Sequence, residues 1–292
     1  MKPRPFEYFR PSTAEEAVEI LSQQDEDARF LAGGQSLVPL MNLRMAAPTA
    51  LIDLNGCGDL GYIEVEGDSL VIGAMVRQAD GERSEVVREN CPLVSQALAL
   101  NGHPATRHRG TVGGTLAHAD AVAELPGVAV ALDAEIVLQG PAGRRRVSAG
   151  DYFLGPLVTS IGPGEMLREV RFPCLPNCTR TRFLESGIRA HDFAISGIAA
   201  ALEMEGQGCI SARLAAIGVG AVPFRLVNVE EALVSRGMKV SVVADALAAD
   251  LAGFEVMENP HATARYRKRL IEALVCRVVE ETLRDVEGEV GE

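Results

Sequence analysis

The 292-residue sequence contains no tryptophan, and phenylalanine and tyrosine together make up only 4% of it. Proteins that bind single-stranded nucleic acid stack the bases on aromatic side chains, so such a platform is not supported. Basic residues are also few, because 28 lysines and arginines stand against 40 aspartates and glutamates, a net charge of −12. A chain this acidic is poorly suited to bind nucleic acid or an anionic membrane through general electrostatics.

Long apolar runs are also lacking. A membrane helix needs about 18 consecutive apolar residues, and no stretch of the sequence is that long. The N-terminal sequence MKPRPFEYF has no apolar core of the kind found in secretion signals. We therefore expect a cytoplasmic protein with no membrane span.

The six cysteines are spread along the chain, which is not the pattern of a disulfide framework. Only Cys174 and Cys178 lie close together, in the sequence CLPNC. A structural zinc site would need a second pair at suitable spacing, and none follows. We expect free thiols and no metal site, with a metal or redox role for this pair as the alternative.

The length suggests two domains, at roughly 150 residues each. Ser12 and Glu15 have the spacing of a capping box and predict the start of a helix. The sequence further predicts strands at 28–32 and 50–54, a helix over 86–100, a strand at 165–172, and hairpins across Gly67-Asp68 and across the sequence GPAG.

The composition changes near residue 175, where Pro173, Pro176 and Asn177 interrupt the pattern. Beyond this point the sequence predicts strands at 180–185, 198–205 and 212–219, followed by helices at 229–236, 240–251 and 262–286. Strands followed by helices indicate an α+β domain. In the last helix the predicted apolar stripe consists of Tyr266, Leu270, Ala273, Leu274 and Val278.

Paired glycines occur in two loops that also carry hydroxyl or amide side chains. These are Ala32-Gly33-Gly34-Gln35-Ser36 and Thr111-Val112-Gly113-Gly114-Thr115. Glycine lets backbone N–H groups turn toward an anion, and hydroxyls add donors. The two loops could hold the phosphates of a dinucleotide from opposite sides. Neither has the G-x-G-x-x-G or P-loop pattern, so the residues alone leave a tight turn with nothing bound as the alternative.

Longer segments around both loops carry a resemblance to a known family. They are LAGGQSLVPLMNLRMAAPTALIDLN, RGTVGGTLAHADAVAELPGVAVALDAEIVL, DYFLGP, EMLREVRFP and RFLESGIRAHDFAISGIAAALE. In this order they resemble the two flavin loops, the end of the flavin domain and the start of the C-terminal domain in FAD-binding medium subunits of molybdenum hydroxylases. That family includes carbon monoxide dehydrogenase, nicotine dehydrogenase and the middle domain of xanthine dehydrogenase. The resemblance covers nearly the whole chain.

The resemblance implies an α+β fold with FAD between two domains. The first is a PCMH-type FAD-binding domain over residues 1–175, made of two α+β subdomains at about 1–56 and 57–175. The second, over residues 179–286, is a C-terminal α+β domain of the CO dehydrogenase flavoprotein type, an antiparallel sheet with helices.

Cofactor-binding residues follow from the matched motifs. The first loop would give its backbone donors and the Ser36 hydroxyl to the FAD diphosphate, and the second loop would close the other side. Glu124 would accept from a ribose hydroxyl, Asn101 and Leu167 would line the adenine and ribose region, and Phe193 would approach the isoalloxazine. The alternatives are a solvated acid for Glu124 and core packing for Phe193. The full set is Ala32, Gly33, Gly34, Gln35, Ser36, Leu37, Asn101, Thr111, Gly113, Gly114, Thr115, Glu124, Leu167 and Phe193.

The chain departs from the family pattern at several of these positions. Thr115 stands where Asn is common, Glu124 where Asp is usual, and Gln35 where His is frequent. Leu184 and Glu185 stand where the family often has a Lys that contacts the adenine nucleotide, so this contact is not carried over. None of these changes removes the backbone donors.

The implied function is electron transfer, with no catalytic side chain of its own. In the family, a large molybdopterin subunit hydroxylates the substrate, and two [2Fe–2S] clusters in a small subunit carry the electrons onward. They reach FAD in the medium subunit and leave to an external acceptor. The expected partners are therefore a large and a small subunit, in a dimer of heterotrimers. The alternatives are a self-sufficient flavin reductase, like the UDP-N-acetylenolpyruvoylglucosamine reductases, and a binding or assembly protein that has lost its flavin.

Overall fold

The N-terminal strands pair in parallel around a buried central strand. The computed structural model describes residues 2–189 and 191–290, with side chains as far as residue 288. In this first sheet β1 (Glu7–Phe9), β3 (Ala50–Asp53) and β2 (Arg29–Leu31) lie in the order β1-β3-β2. Helix α1 (Ala14–Ser22) follows β1, and α2 (Leu37–Asn42) follows β2. The strands predicted at 28–32 and 50–54 are confirmed.

Helix α1 begins one residue later than the capping pattern predicted. Thr13 is the N-cap, and its hydroxyl accepts a hydrogen bond from the Glu16 N–H at 3.2 Å. The Glu16 carboxylate in turn accepts from the Ser12 N–H at 2.7 Å. The predicted pair of Ser12 and Glu15 is therefore wrong by one position, because a second hydroxyl residue and a second glutamate follow directly.

An antiparallel sheet forms the centre of the next part of the chain. Its order is β4-β5-β10-β6-β7. The strands are β4 (Ile63–Glu66), β5 (Ser69–Gly73), β6 (Glu135–Gly140), β7 (Gly143–Ser148) and β10 (Met166–Pro173), with a separate hairpin of β8 (Phe153–Gly155) and β9 (Val158–Thr159). The helices are α3 (Gln78–Arg83), α4 (Glu85–Asn90), α5 (Pro92–Leu100), α6 (Pro104–Arg107), α7 (Val112–His118), α8 (Glu124–Ala131) and α9 (Ala149–Tyr152). Both predicted hairpins are confirmed.

The helix predicted over 86–100 is two helices. Helix α4 ends at Asn90, and Pro92 is the first residue of α5. Proline has no N–H to continue a helix, whereas at the first helical position no intrahelical bond is needed. The apolar periodicity continued across this break and concealed it.

The C-terminal part has strands before helices, as predicted. Strands β11 (Thr179–Gly187), β12 (Ala194–Glu205), β13 (Gly208–Ile217) and β14 (Phe224–Arg225) form one antiparallel sheet in chain order. The helices that follow are α10 (Val227–Ser235), α11 (Val243–Asp250) and α12 (Ala264–Val290). The α+β expectation for this part is confirmed.

The buried face of α12 differs from the predicted stripe. Tyr266 and Ala273 are exposed, whereas the face turned to the sheet consists of Arg267, Ile271, Leu274, Val275 and Val278. The true stripe begins with an arginine, which a search for apolar residues does not select.

The C-terminal sheet has a hydrophobic core on each face. Along β12, Ala199 and Ala201 pack into the same core as α5 and α8, whereas Ile198, Ala200 and Leu202 face α10, α11 and α12. We call the contact of α5 and α8 with this sheet the interdomain seam. It is close, since a Cβ on Gly127 of α8 would lie 2.5 Å from Ile217 on β13. The seam therefore holds the C-terminal sheet firmly against the N-terminal part.

All six cysteines are free thiols, with Cys178 exposed and Cys174 half-buried. Among residues 2–189 and 191–290, no group of three or more metal-binding side chains is placed to hold an ion. Over the same residues, no helix is long and apolar enough to cross a membrane.

Candidate functional site

The two glycine loops lie side by side. A Cβ on Gly33 would come within 2.3 Å of the Arg109 carbonyl oxygen and 2.8 Å of the Cα of Gly110. A Cβ on Gly114 would lie 3.6 Å from the Cβ of Ala32. The first loop therefore packs against the turn that leads into the second, and this approach depends on glycine at position 33.

The first loop presents a row of unpaired backbone donors. The N–H groups of residues 33–36 make no hydrogen bond with the part of the chain that the structure describes. Gly34 adopts a φ of +73°, a conformation that favours glycine. Two carbonyl oxygens of the loop are already paired, that of Ala32 with the Asn55 side chain at 3.0 Å and that of Gly33 with the Gln35 side chain at 3.3 Å. Unpaired N–H groups in such a turn form a concave site for an anion.

The second loop, in contrast, uses its donors internally. The N–H groups of Val112 and Gly113 donate to carbonyls of residues 76 and 74, both at 3.0 Å. The Gly114 N–H donates to the Thr111 hydroxyl at 3.0 Å, which caps α7. The Thr115 hydroxyl accepts from Gln78 at 2.6 Å and donates to the Thr111 carbonyl at 3.3 Å. This loop therefore shapes the wall of the site. For the Thr115 hydroxyl to donate a hydrogen bond to a ligand, its bond to the Thr111 carbonyl would have to break.

Arg77 and Asn55 link the two loops, and the sequence analysis missed both. The Arg77 guanidinium donates to the Arg109 carbonyl and to the Asn55 side chain, both at 2.5 Å. Asn55 also holds the Ala32 carbonyl. Neither residue belongs to a recognisable motif, and their spacing along the chain gives no signal. Their role is visible only when the loops are brought together.

Asn101 and Glu124 form a second part of the candidate site. The Asn101 amide donates to the Glu124 carboxylate at 2.6 Å. Glu124 is the first residue of α8 and only 6% exposed, so the alternative of a solvated acid is wrong. Burial raises the pKa of Glu124 to about 7, although the bonds from its own N–H and from Asn101 oppose this. A carboxyl group in this state can both accept and donate a hydrogen bond.

Glu185 faces the same region from the C-terminal sheet. Phe183 belongs to the core shared with the N-terminal part and Leu184 to the opposite core, so alternation turns Glu185 toward the seam. Its Oε2 atom is buried and bonded to nothing among the described residues. Burial, and then the charge of Glu124, raise the pKa of Glu185 to about 8. This acid lies close to the position where the sequence resemblance led us to expect a lysine in the family.

Phe193 and Leu167 lie in very different surroundings. Phe193 is 76% exposed, so its interpretation as a core residue is wrong. The neighbouring His191 ring lies 6.0 Å, between centroids, from that of His103, which places this loop over the turn between α5 and α6. Leu167 is buried in the core that α5 and α8 share with the C-terminal sheet.

The geometry fits the non-reacting half of FAD. The unpaired donors of the first loop match a diphosphate, and Glu124 provides a carboxyl group for a ribose hydroxyl. A turn of unpaired N–H groups beside a second glycine loop is the arrangement expected in the class of dinucleotide-binding proteins.

Two family models match the chain. One, described as the FAD binding domain in molybdopterin dehydrogenase, matches residues 4–175. The other, the CO dehydrogenase flavoprotein C-terminal domain, matches residues 182–282.

Whole-length relatives agree with these models. The chain is 37% identical to the 6-hydroxypseudooxynicotine dehydrogenase complex subunit alpha of Paenarthrobacter nicotinovorans, over 97% of this chain and 96% of that protein. It is 34% identical to the carbon monoxide dehydrogenase medium chain of Hydrogenophaga pseudoflava, over 96% and 97%. A chain of quinoline 2-oxidoreductase from Pseudomonas putida 86 superposes with a TM-score of 0.92 at 34% identity, covering 98% and 99%.

The chain belongs to the family of FAD-binding medium subunits of molybdenum hydroxylases. It is thus an FAD-dependent oxidoreductase subunit, and the family resemblance derived from its motifs is confirmed.

Proposed function

We propose that this chain is the electron-transfer subunit of a molybdenum hydroxylase complex. It would receive electrons from the [2Fe–2S] clusters of a small subunit and pass them to an external acceptor. Bound FAD supplies this chemistry, because a flavin accepts and releases electrons singly or in pairs. The names of its relatives support the proposal, since one is a dehydrogenase complex subunit and another a medium chain.

The observation that carries the proposal is the row of unpaired N–H groups in the first loop. We assign residues 32–37 to the FAD diphosphate, with Gly114 and Thr111 closing the site opposite. Glu124, held by Asn101, would bind a ribose hydroxyl, and Phe193 would lie against the isoalloxazine. The chain's own part is to bind and orient the cofactor and to exclude water around it.

The proposed domains are those expected from the sequence, 1–175 with subdomains 1–56 and 57–175, and 179–286. The two sheets of the N-terminal part support the subdomains, and the change of sheet after residue 175 supports the boundary. FAD would lie between the two domains, at the edge of the seam.

We further propose a large molybdopterin subunit and a small [2Fe–2S] subunit as partners, in a cytoplasmic dimer of heterotrimers. The names of the relatives support this, since one is a subunit of a dehydrogenase complex and another is a medium chain. Substrate chemistry would belong to the large subunit.

The visible absorption spectrum of the purified chain tests the proposal most directly. Spectra are recorded before and after addition of FAD and desalting, on the chain alone and on the complex co-expressed with neighbouring subunit genes. A retained flavin spectrum is expected. Absence of flavin from both preparations would reject the proposed site. Steady-state turnover of a small substrate by the isolated chain with NADPH would instead favour a self-sufficient reductase.

A further inference from the structure

Arg267 is a fully buried cation in the first turn of α12. Its side chain is 1% exposed, and it occupies the first position of the helix face that is otherwise apolar. No ion pair joins it to a carboxylate within the described residues. An arginine in such a place is costly unless its hydrogen bonds have a purpose that an apolar side chain could not serve.

Those hydrogen bonds join the ends of two strands. One terminal nitrogen of Arg267 donates to the carbonyl of Ile195, at the start of β12, and at 2.6 Å to the carbonyl of Gly218, just after β13. The two strand ends are in direct contact, because a Cβ on Gly218 would lie 2.4 Å from the Ile195 oxygen. Gly218 has a φ of +68°, which favours glycine.

Both strand ends lead to the candidate site. Ile195 is two residues after Phe193, in a stretch that we call the Phe193 segment (residues 191–195). Gly218 donates its N–H to the Ala121 carbonyl at 2.9 Å, three residues before Glu124 at the start of α8. The guanidinium therefore holds together, through two carbonyls, the Phe193 segment and the turn that carries Glu124.

We propose that Arg267 is a positioning residue of the flavin site, which fixes the Phe193 segment against the flavin domain by clamping the carbonyls of Ile195 and Gly218. The inference rests on the proposed function, because it concerns how the same FAD site is assembled. Arg267 acts through these carbonyls and the residues attached to them.

The test compares Arg267→Lys and Arg267→Met with Arg269→Met, which removes an exposed arginine from the same helix. In the full chain, both Arg267 variants are expected to bind FAD about tenfold more weakly, and the control to bind it normally. At saturating FAD, the flavin of the Arg267 variants should also be more accessible to iodide quenching. A residue that only stabilises the fold would leave that accessibility unchanged. Wild-type affinity and quenching in both Arg267 variants would overturn the inference.

A double-mutant cycle identifies the route of the effect. If Arg267 acts through the Phe193 segment, Phe193→Ala should reproduce the quenching change, and Arg267→Lys should add little in its presence. Full additivity of the two losses would reject the clamp. If Arg267→Met does not fold, Arg267→Lys retains the charge and most of the stem and carries the same comparison.

Hydrogen exchange without FAD separates this inference from the proposed function. Arg267→Lys should speed amide exchange in peptides covering residues 191–196 and 216–221, whereas Arg269→Met should not. Unchanged exchange would overturn the clamp even if the wild-type chain binds FAD. Faster exchange in a chain that never binds FAD would support the clamp and reject the flavin assignment. If neither Arg267 variant folds, Gly218→Ala disturbs the same junction, and unchanged exchange in it would also reject the clamp.

Discussion

Burial, and then the charge of Glu124 at the start of α8, raise the pKa of Glu185 on β11 across the interdomain seam. The two carboxyl groups belong to different domains, and burial already disfavours the ionised form of each. Close acids of this kind keep a proton to higher pH than they would in water.

This relationship predicts that stability falls as the pH rises. The unfolded chain releases the proton of Glu185 near its ordinary pKa of 4.5, whereas the folded chain holds it to about 8. The stabilising contribution of the neutral form is therefore complete below about pH 4.5, falls progressively as the pH rises above that value, and is lost once the pH has passed about 8. Glu185→Gln should raise the free energy of unfolding at pH 9 by about 2 kcal/mol. This is less than the free energy that corresponds to the full pKa shift, because the Glu185 side chain is partly exposed.

Urea unfolding at pH 5, 7 and 9 measures the effect of Glu185→Gln. Glu205→Gln, at the exposed end of β12, is the control and should follow the wild-type profile. A Glu185→Gln profile parallel to that of the wild type would show that folding does not raise the pKa of Glu185.

Replacing Glu185 by the lysine common in the family predicts tighter binding of FAD. Glu185→Lys removes one negative charge near an anionic cofactor and gives Glu124 an opposite charge. We expect affinity at pH 8 to rise about three- to tenfold, measured by flavin fluorescence titration. Glu205→Lys introduces the same positive side chain at the exposed end of β12, so an equal gain there would indicate a general electrostatic effect.

Gly34 offers a test of the first loop. Gly34→Ala places a side chain at a φ of +73°, and Gly253→Ala does so at +72° in open space. The positive φ should cost each variant about 1 kcal/mol of folding free energy, and Gly34→Ala somewhat more, because its Cβ would also lie 3.2 Å from a methyl group of Val38. Only Gly34→Ala should also weaken FAD binding, by about tenfold or more, since the strain turns the donors away from the diphosphate. The FAD affinity is measured from the flavin retained after desalting and by titration with FAD. Equal FAD binding by the two variants would contradict the assignment of the first loop to the diphosphate.

Arg77 offers a test of how the loops are joined. Arg77→Met removes the bonds to the Arg109 carbonyl and the Asn55 side chain, and so releases both loops. We expect a loss of about 1–3 kcal/mol in unfolding free energy and weaker FAD binding. Arg88→Met is the control, because its 3.6 Å ion pair with Glu85 is exposed and worth about 0.5 kcal/mol or less. Normal FAD binding by Arg77→Met would show that the first loop keeps its shape unaided.

The sequence predicted elements whose signal is local. Strands β2 and β3 and the hairpins across Gly67-Asp68 and GPAG were found because turn residues and alternation lie within a few positions. The break at Pro92 was missed because apolar periodicity continues through it, and the first residue of the α12 stripe because it is Arg267.

The site divides in the same way. The two loops carry their own pattern, so they could be found from the sequence, and the motifs gave the family. Asn55 and Arg77 could not be found from the sequence, because they contribute through contacts between segments far apart in the chain. The pairing of Glu124 with Glu185 also depends on docking of one domain on the other, which no local pattern contains.

Strand β12 packs into a different hydrophobic core on each face, and this limits how members of the family can be recombined. Ala199 and Ala201 are small because α5 and α8 pack on them, whereas Ile198 and Leu202 pack against the C-terminal helices. Consider a chimera joined at residue 175, with its C-terminal domain taken from a relative. Every second residue of its β12 would have been selected to pack on the relative's own α5 and α8, and would meet different helices in the chimera. Grafts between relatives should therefore carry α5 and α8 along with the sheet, so that the unit exchanged follows the core and not the domain boundary.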